Sequence, residues 1–181
     1  MIWFSSDWHI GHDKDFLYIP RGFSSIEEHD KEVLKRCNEV VTEDDELWIL
    51  GDLAMGGNEK EWNSVYYNLR CQNVHFLQGN HDTDKKMDIY EENYKFNYHG
   101  YADMIRYSKS KRLFLSHYPT IVTNFDDERR FPVVNLHGHT HSKEKFYNGN
   151  PYIYNVALDA HDCYPVSIEQ IINDIIKKRE M

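Results

Sequence analysis

The 181-residue sequence predicts an α/β fold built around a parallel sheet. Three observations lead there. Short apolar runs alternate with amphipathic stretches through the first half of the chain. Each run stops at a cluster of Gly, Ser, Asp or Asn. The second half is richer in strands and closes on one amphipathic stretch.

Taken in order, "MIWF" (1–4) is a short buried strand ending at Ser5-Ser6-Asp7. A polar loop follows. "SSIEEHDKEVLKRCNEVV" (24–41) has the 3.6-residue period of a helix, its apolar face made by Ile26, Val33, Leu34, Cys37 and Val40 or Val41. A Ser-x-x-Glu capping pattern opens it, either Ser24 with Glu27 or Ser25 with Glu28. "ELWIL" (46–50) is a second buried strand, "EKEWNSVYYNLR" (59–70) a helix, and "NVHFLQ" (73–78) a third strand. "TDKKMDIYEEN" (83–93) adds a short helix. "ADMIRYS" and "KRLFLSH" pair as a hairpin around Lys109 to Lys111, and "PVVNLHG" and "YIYNVAL" are further strands. "SIEQIINDIIKKRE" (167–180) is the closing helix, with Ser167 and Gln170 as a capping box and Lys177, Lys178 and Arg179 at the end its dipole favours. No repeat or linker interrupts the chain, so residues 1–181 are expected to form one domain.

The composition narrows the function classes. Hydrophobic residues make up 40% and charged residues 28%, the balance of a globular protein, and no apolar run is long enough to span a bilayer. The start has no basic segment followed by an apolar one, so the expected location is the cytoplasm. Cys37, Cys71 and Cys163 are odd in number and widely spaced, and read as buried reduced thiols. A formal net charge of -9 argues against a broad basic surface for gripping nucleic acid. It leaves open phosphate chemistry at a metal centre, where bound cations reverse the local field.

The ends of the strands carry the functional signal. They deliver "SSDWH", "LGD", "QGNHD", "LSHYP" and "LHGHTH", and in parallel α/β sheets ligands bind beyond the carboxyl ends of strands. Asp7, His9, Asp52, Asn80, His117, His139 and His141 thus form a set of seven N/O donors without a cysteine. Seven exceed the needs of one tetrahedral zinc and suit two metals sharing a carboxylate. The mixed imidazole and carboxylate set favours Mn, with Fe, Co, Ni or Zn as alternatives, over Mg or Ca. Two such ions roughly 3.5–4 Å apart can bind phosphate oxygens and hold a hydroxide for in-line attack. Gly51, Gly79 and Gly138 each precede a donor, where a tight backbone path turns the next side chain inward.

In this order, "DWH" (7–9), "GD" (51–52), "GNHD" (79–82), His117 and "GHTH" (138–141) resemble the blocks of calcineurin-like metallophosphoesterases. "SDWHIGHDKDF" and "NVALDAHDCYPVSIEQI" are similar to a subgroup of small bacterial and phage phosphoesterases. The resemblance implies a two-sheet α/β sandwich with a dinuclear site at the strand ends. It implies that Asp7, His9 and His141 hold one metal, that Asn80, His117 and His139 hold the other, and that Asp52 bridges them. His81 is then the acid serving the leaving oxygen, with Asp82 orienting and charging its imidazole. The phosphoprotein phosphatases of the superfamily carry Asp-Arg shortly after "GD"; here the text is "GDLAMGG", which lacks that arginine and argues against protein dephosphorylation.

The remaining candidates are weighed against ordinary structural roles. His12 is a substrate contact or a loop-stabilising group, and Arg21, in "PRGF", is a replacement for the missing phosphate-gripping arginine. His137 is expected to pack beneath the ligands, His75 to be structural, and His29, His99 and His161 to be surface groups. The tyrosines and tryptophans are expected to serve the core, with Trp8 and Tyr118, which flank donors, as alternatives for stacking on a base or walling off water, and Arg129 and Arg130 belong to a solvated loop. The function expected is metal-dependent hydrolysis of a small phosphorylated compound, a nucleotide or phosphodiester. The rivals are a nuclease, disfavoured by the charge, and a non-catalytic metal-binding scaffold for a partner protein, disfavoured by the complete donor set.

Overall fold

In the computed structural model, which describes residues 1–55, 59–122 and 133–180, the apolar runs bury both of their faces. Strands β1 (Ile2–Ser5), β2 (Glu46–Ile49) and β3 (Asn73–Phe76) pair in parallel. Their side chains alternate between two cores. Leu47, Ile49, Val74 and Phe76 pack against the helices, whereas Phe4, Trp48, Leu50 and Leu77 face a second sheet. Burial on both faces is why these strands read as continuous apolar runs instead of an apolar–polar alternation.

The first sheet has the order β4-β3-β2-β1-β9, completed by β4 (Asn97–Tyr98) and β9 (Val166–Ser167). The second has the order β5-β6-β7-β8. Its first pair, β5 (Ala102–Arg106) and β6 (Arg112–Ser116), is the expected antiparallel hairpin. Strands β7 (Val134–His137) and β8 (Ile153–Asn155) then add in parallel. Leu113, Leu115, Leu136 and Tyr154 meet the first sheet's inner face. The architecture is the two-sheet α/β sandwich.

Helices α2 (Ile26–Val40), α3 (Glu59–Asn68), α4 (Asp84–Glu92) and α5 (Ile168–Glu180) lie where the periodicity placed them. The two capping alternatives for α2 resolve into a shared arrangement. Ser25 Oγ accepts from the Glu28 amide at 3.2 Å, and the Glu28 carboxylate reaches back to Ser24. Ser167 Oγ accepts from the Gln170 amide at the start of α5. One short helix, α1 (Asp15–Tyr18), occupies the loop after β1, where sequence suggested only a polar connection. Its four residues are too few to show a period. The three cysteines are buried free thiols, as expected. No described helix is long and apolar enough to cross a membrane.

Candidate metal centre

The donors gather at the carboxyl ends of β1, β2, β3, β6 and β7, and backbone hydrogen bonds fasten those ends together. The Asp7 amide donates to Gly51 O at 3.1 Å, and the His9 amide to Asp52 O at 3.0 Å. The His139 amide donates to Asp7 Oδ2 at 2.8 Å, joining the first block to the last. Five of the seven expected donors adopt left-handed backbone: Asp7 (φ 58°), His9 (52°), Asp52 (56°), His139 (67°) and His141 (47°). Such conformations cost about 1–3 kcal/mol each and persist where surrounding structure holds them, which is typical of functional sites.

The glycines act mainly by leaving room. A Cβ on Gly79 would strike the Asp52 carboxylate, and one on Gly138 would strike Ser6 Oγ and Asp7 Oδ2. Only Gly51 also needs the left-handed region, at φ 94°.

Among the described residues, two sets of side chains bring ligand atoms within 4.8 Å of one another: Asp7, His9 and His141, and Asp7, Asp52 and His117. Asp7 Oδ1 lies 3.8 Å from His9 Nε2 and 3.7 Å from His141 Nε2. Asp52 Oδ2 lies 3.7 Å from His9 Nε2 and 3.4 Å from His117 Nε2, between the two groups. Asn80 Oδ1 touches His117 Nε2 at 2.9 Å and His139 Nδ1 at 2.8 Å. All seven residues therefore converge, and Asp7 as well as Asp52 is shared.

These atoms fit a cation. Asp7 Oδ1 and both ring nitrogens of His9 are buried without a hydrogen-bond partner among the described residues, an arrangement costly unless something else satisfies them. Ligands at about 2.1 Å from a tetrahedral ion sit about 3.4 Å apart, close to the carboxylate–imidazole separations found here.

The electrostatics agree. Burial alone would raise the Asp7 carboxyl, but His9, His117 and His141 outweigh it and hold it at about 2. Asp52 is likewise lowered, with burial opposed chiefly by His117. Burial disfavours a charged His117 ring, yet Asp52 and Asp7 raise it to about 9. His117 Nε2 faces Asn80 Oδ1 and Asp52 Oδ2, so a cation bound at that nitrogen would displace its proton.

Two assignments need correction. Arg21 does not present its charge to a substrate. Its side chain is buried and bidentate to Asp159, with Nε to Oδ1 at 3.0 Å and Nη2 to Oδ2 at 2.7 Å, and it also donates to the Asp7 carbonyl. Asp82 does not orient His81. Its Oδ2 accepts from the amides of Asp52 (2.6 Å) and Gly79 (2.9 Å), so it binds two strand ends together. Burial raises its carboxyl to about 6. Trp8 is fully buried in the core, as expected of the tryptophans, its indole donating to Ser5 Oγ.

His81 lies at the edge of the donor cluster, its ring 5.4 Å from that of His9. Its backbone is fixed on both sides, the amide to Asp52 Oδ1 at 2.9 Å and the carbonyl to Lys86 Nζ at 2.8 Å. His12 is half-buried, 5.2 Å from the His9 ring, and burial together with His9 and His81 lowers it to about 4, so it is neutral. Tyr118 is exposed and packs on His139 at 4.5 Å.

His137 is buried under the loop, as expected, its Nδ1–H donating to Gly138 O. His75 stacks on Trp48, and His99 joins it at 2.8 Å, away from the donors. His29 and His161 are buried, contrary to expectation: His29 contacts Arg21, and His161 donates to Asn155 O. Arg129 and Arg130 lie outside the described residues.

Asp159 and Lys86 were not anticipated. Asp159 follows β8 and so obeys the strand-end rule that found the other donors, a signal its sequence position carried.

The profile of the calcineurin-like phosphoesterase family matches residues 1–174. The chain belongs to that family. This calcineurin-like phosphoesterase is 30% identical over 196 residues to the gene 66 protein of Mycobacterium phage D29, with 96% of each covered. It is 29% identical to an uncharacterised protein of Methanocaldococcus jannaschii, over 97% of this chain and 92% of that one. A solved protein of unknown function from Aquifex aeolicus shares the fold with a TM-score of 0.68 at 23% identity, covering 96% of this chain and 98% of its own. A nuclease from Pseudomonas putida is a more distant fold match, with a TM-score of 0.51 at 18% identity over 77% of this chain and 61% of its own.

Proposed function

We propose that this calcineurin-like phosphoesterase hydrolyses a small phosphorylated compound, a nucleotide or phosphodiester, at a centre of two divalent cations. The observation that carries the reading is the pair of donor groups that share Asp7, with Asp7 Oδ1 and His9 Nε2 buried and unpartnered among the described residues. Asp7, His9 and His141 hold one ion, Asn80, His117 and His139 the other, and Asp52 lies between them. Mn2+ is the first choice for this oxygen and imidazole set, with Fe, Co, Ni or Zn as alternatives. When bound, the ions supply positive charge to the phosphoryl oxygens and an activated water.

The protein's own groups do the rest. Against the effect of burial, the imidazoles around Asp7 and Asp52 hold both as carboxylates, so these two donors need lose no proton when a cation binds, whereas His117 must give one up. His81 gives a proton to the departing oxygen, and neutral His12 beside it offers a hydrogen bond to the substrate. The net charge of -9 favours a small substrate over a nucleic acid backbone.

Asp52→Asn tests the reading. It is expected to abolish hydrolysis of bis-p-nitrophenyl phosphate with Mn2+ and to loosen both ions. A variant that hydrolyses at the wild-type rate overturns the site assignment. A panel of phosphomonoesters, phosphodiesters and nucleotides identifies the substrate, and gels of single-stranded and duplex nucleic acid expose any nuclease activity.

A further inference from the structure

Behind the donors lies a buried ion pair that the reaction as described above does not use. We propose that Arg21 and Asp159 are positioning residues that shape the Asp7–His9–His141 metal position from its rear. The proposal rests on the metal assignment just made.

The reasoning starts from what a guanidinium does: it donates and never accepts. Arg21 Nη2 donates to the Asp7 carbonyl at 2.8 Å and Nη1 to the Trp8 carbonyl at 3.4 Å. Nη1 also meets His29 Nε2 at 2.9 Å, so that nitrogen accepts. The His29 Nδ1–H then donates to Asp30 Oδ1 at 2.8 Å, and Asp30 Oδ2 takes the Gly11 amide at 2.9 Å. Residues 7, 8 and 11 are thereby held from behind, around the two left-handed ligands Asp7 and His9.

The other half of the pair reaches the last ligand block. Asp159 Oδ2 accepts the Nδ1–H of His141 at 3.0 Å. That bond selects the tautomer whose Nε2 carries the lone pair, and Nε2 faces Asp7 Oδ1. Arg21 and Asp159 stand 138 residues apart in the chain, so one contact sets the backbone of the first block and the ring of the last.

The second metal position is built differently. His117 Nδ1 is fixed by a neutral group, the Leu50 carbonyl at 2.8 Å, and His139 Nδ1 faces Asn80. A carboxylate behind a ligating imidazole orients it and raises its basicity more than a carbonyl does. The effect of Asp159 on a ligand ring is therefore confined to the position that His141 serves.

The experiment counts Mn2+ bound by metal-stripped protein and measures each affinity by calorimetry, checking the fold by thermal melting in EDTA. Wild type is expected to take two ions per chain. Asp159→Asn should weaken one of them by about 10–100-fold and the other by clearly less. In a His141→Ala background, the same substitution should cost clearly less, because only the route through Arg21 to the Asp7 backbone is left. Should Asp159→Asn fail to fold, Asp159→Glu, which keeps the charge but displaces it, takes its place in the same cycle. Two ions bound with unaltered affinity in the variant would overturn the proposal alone. So would an equal loss in both backgrounds, which marks a general structural effect. Wild-type protein that binds no Mn2+ would overturn the metal reading and this proposal with it.

Discussion

His81 and Asp82 are adjacent in "GNHD", yet their side chains work in different places. The Asp82 carboxylate holds the amides of Asp52 and Gly79, whereas the His81 ring stands beside His9. Asp82 braces the backbone around Asp52, and in the proposed reaction His81 alone of the two serves the leaving group. His81→Ala is therefore expected to keep both metals and lose roughly 10²–10⁴-fold in turnover, most for substrates with poor leaving groups. Unchanged kcat on a poor-leaving-group ester would remove His81 from the chemistry. Motif position named both residues, but it could not say that the Asp52 amide would come within reach of Asp82, because Asp52 follows another strand.

The strand end is the element that matters most. β1, β2 and β3 were legible because burial on both faces leaves continuous apolar runs, and the donors follow directly after them. The two-residue strands β4 and β9 carry no such pattern and exist only through their neighbours in the sheet. At the end of β7, the loop of residues 138–141 packs so closely that a Cβ on Gly138 meets Ser6 and Asp7. Gly138→Ala should lower stability by about 1–3 kcal/mol and weaken metal binding, since the methyl group displaces a ligand carboxylate. Gly149→Ala is the control: its φ of 73° brings backbone strain, but nothing lies within 4 Å, so melting temperature should fall while metal affinity holds. Equal metal affinity in the two variants would show that Gly138 is an ordinary turn residue.

For the whole molecule, stability without metal should depend on pH in both directions. Burial lowers His137 and His161 from the usual 6.5 to about 4, so the unfolded chain binds protons that the folded chain does not. Their contribution is complete above pH 6.5 and is lost as pH falls towards 4, on the order of 3 kcal/mol each. His117 acts in the opposite sense. Despite burial, Asp52 and Asp7 raise it to about 9, and the stability this adds is complete below 6.5 and lost as pH rises through 9. In EDTA the melting temperature should peak near pH 6.5. With Mn2+ the alkaline decline should disappear, because the metal takes over the role of the His117 proton. A flat profile in EDTA would contradict these burial effects.

The alternation of strands and helices, the order of the seven candidate donors, and the family were all legible in the sequence. Each is local: periodicity within a run, a turn residue at its end, a motif a few residues long. Which candidate donors approach one another, that Asp7 belongs to both clusters, and that Arg21 turns away from them to meet Asp159 emerge from the packing alone. It also showed His29 and His161 to be buried. Such outcomes depend on hydrogen bonds between residues far apart in the chain, whose geometry follows from how the two sheets pack and which no periodicity encodes.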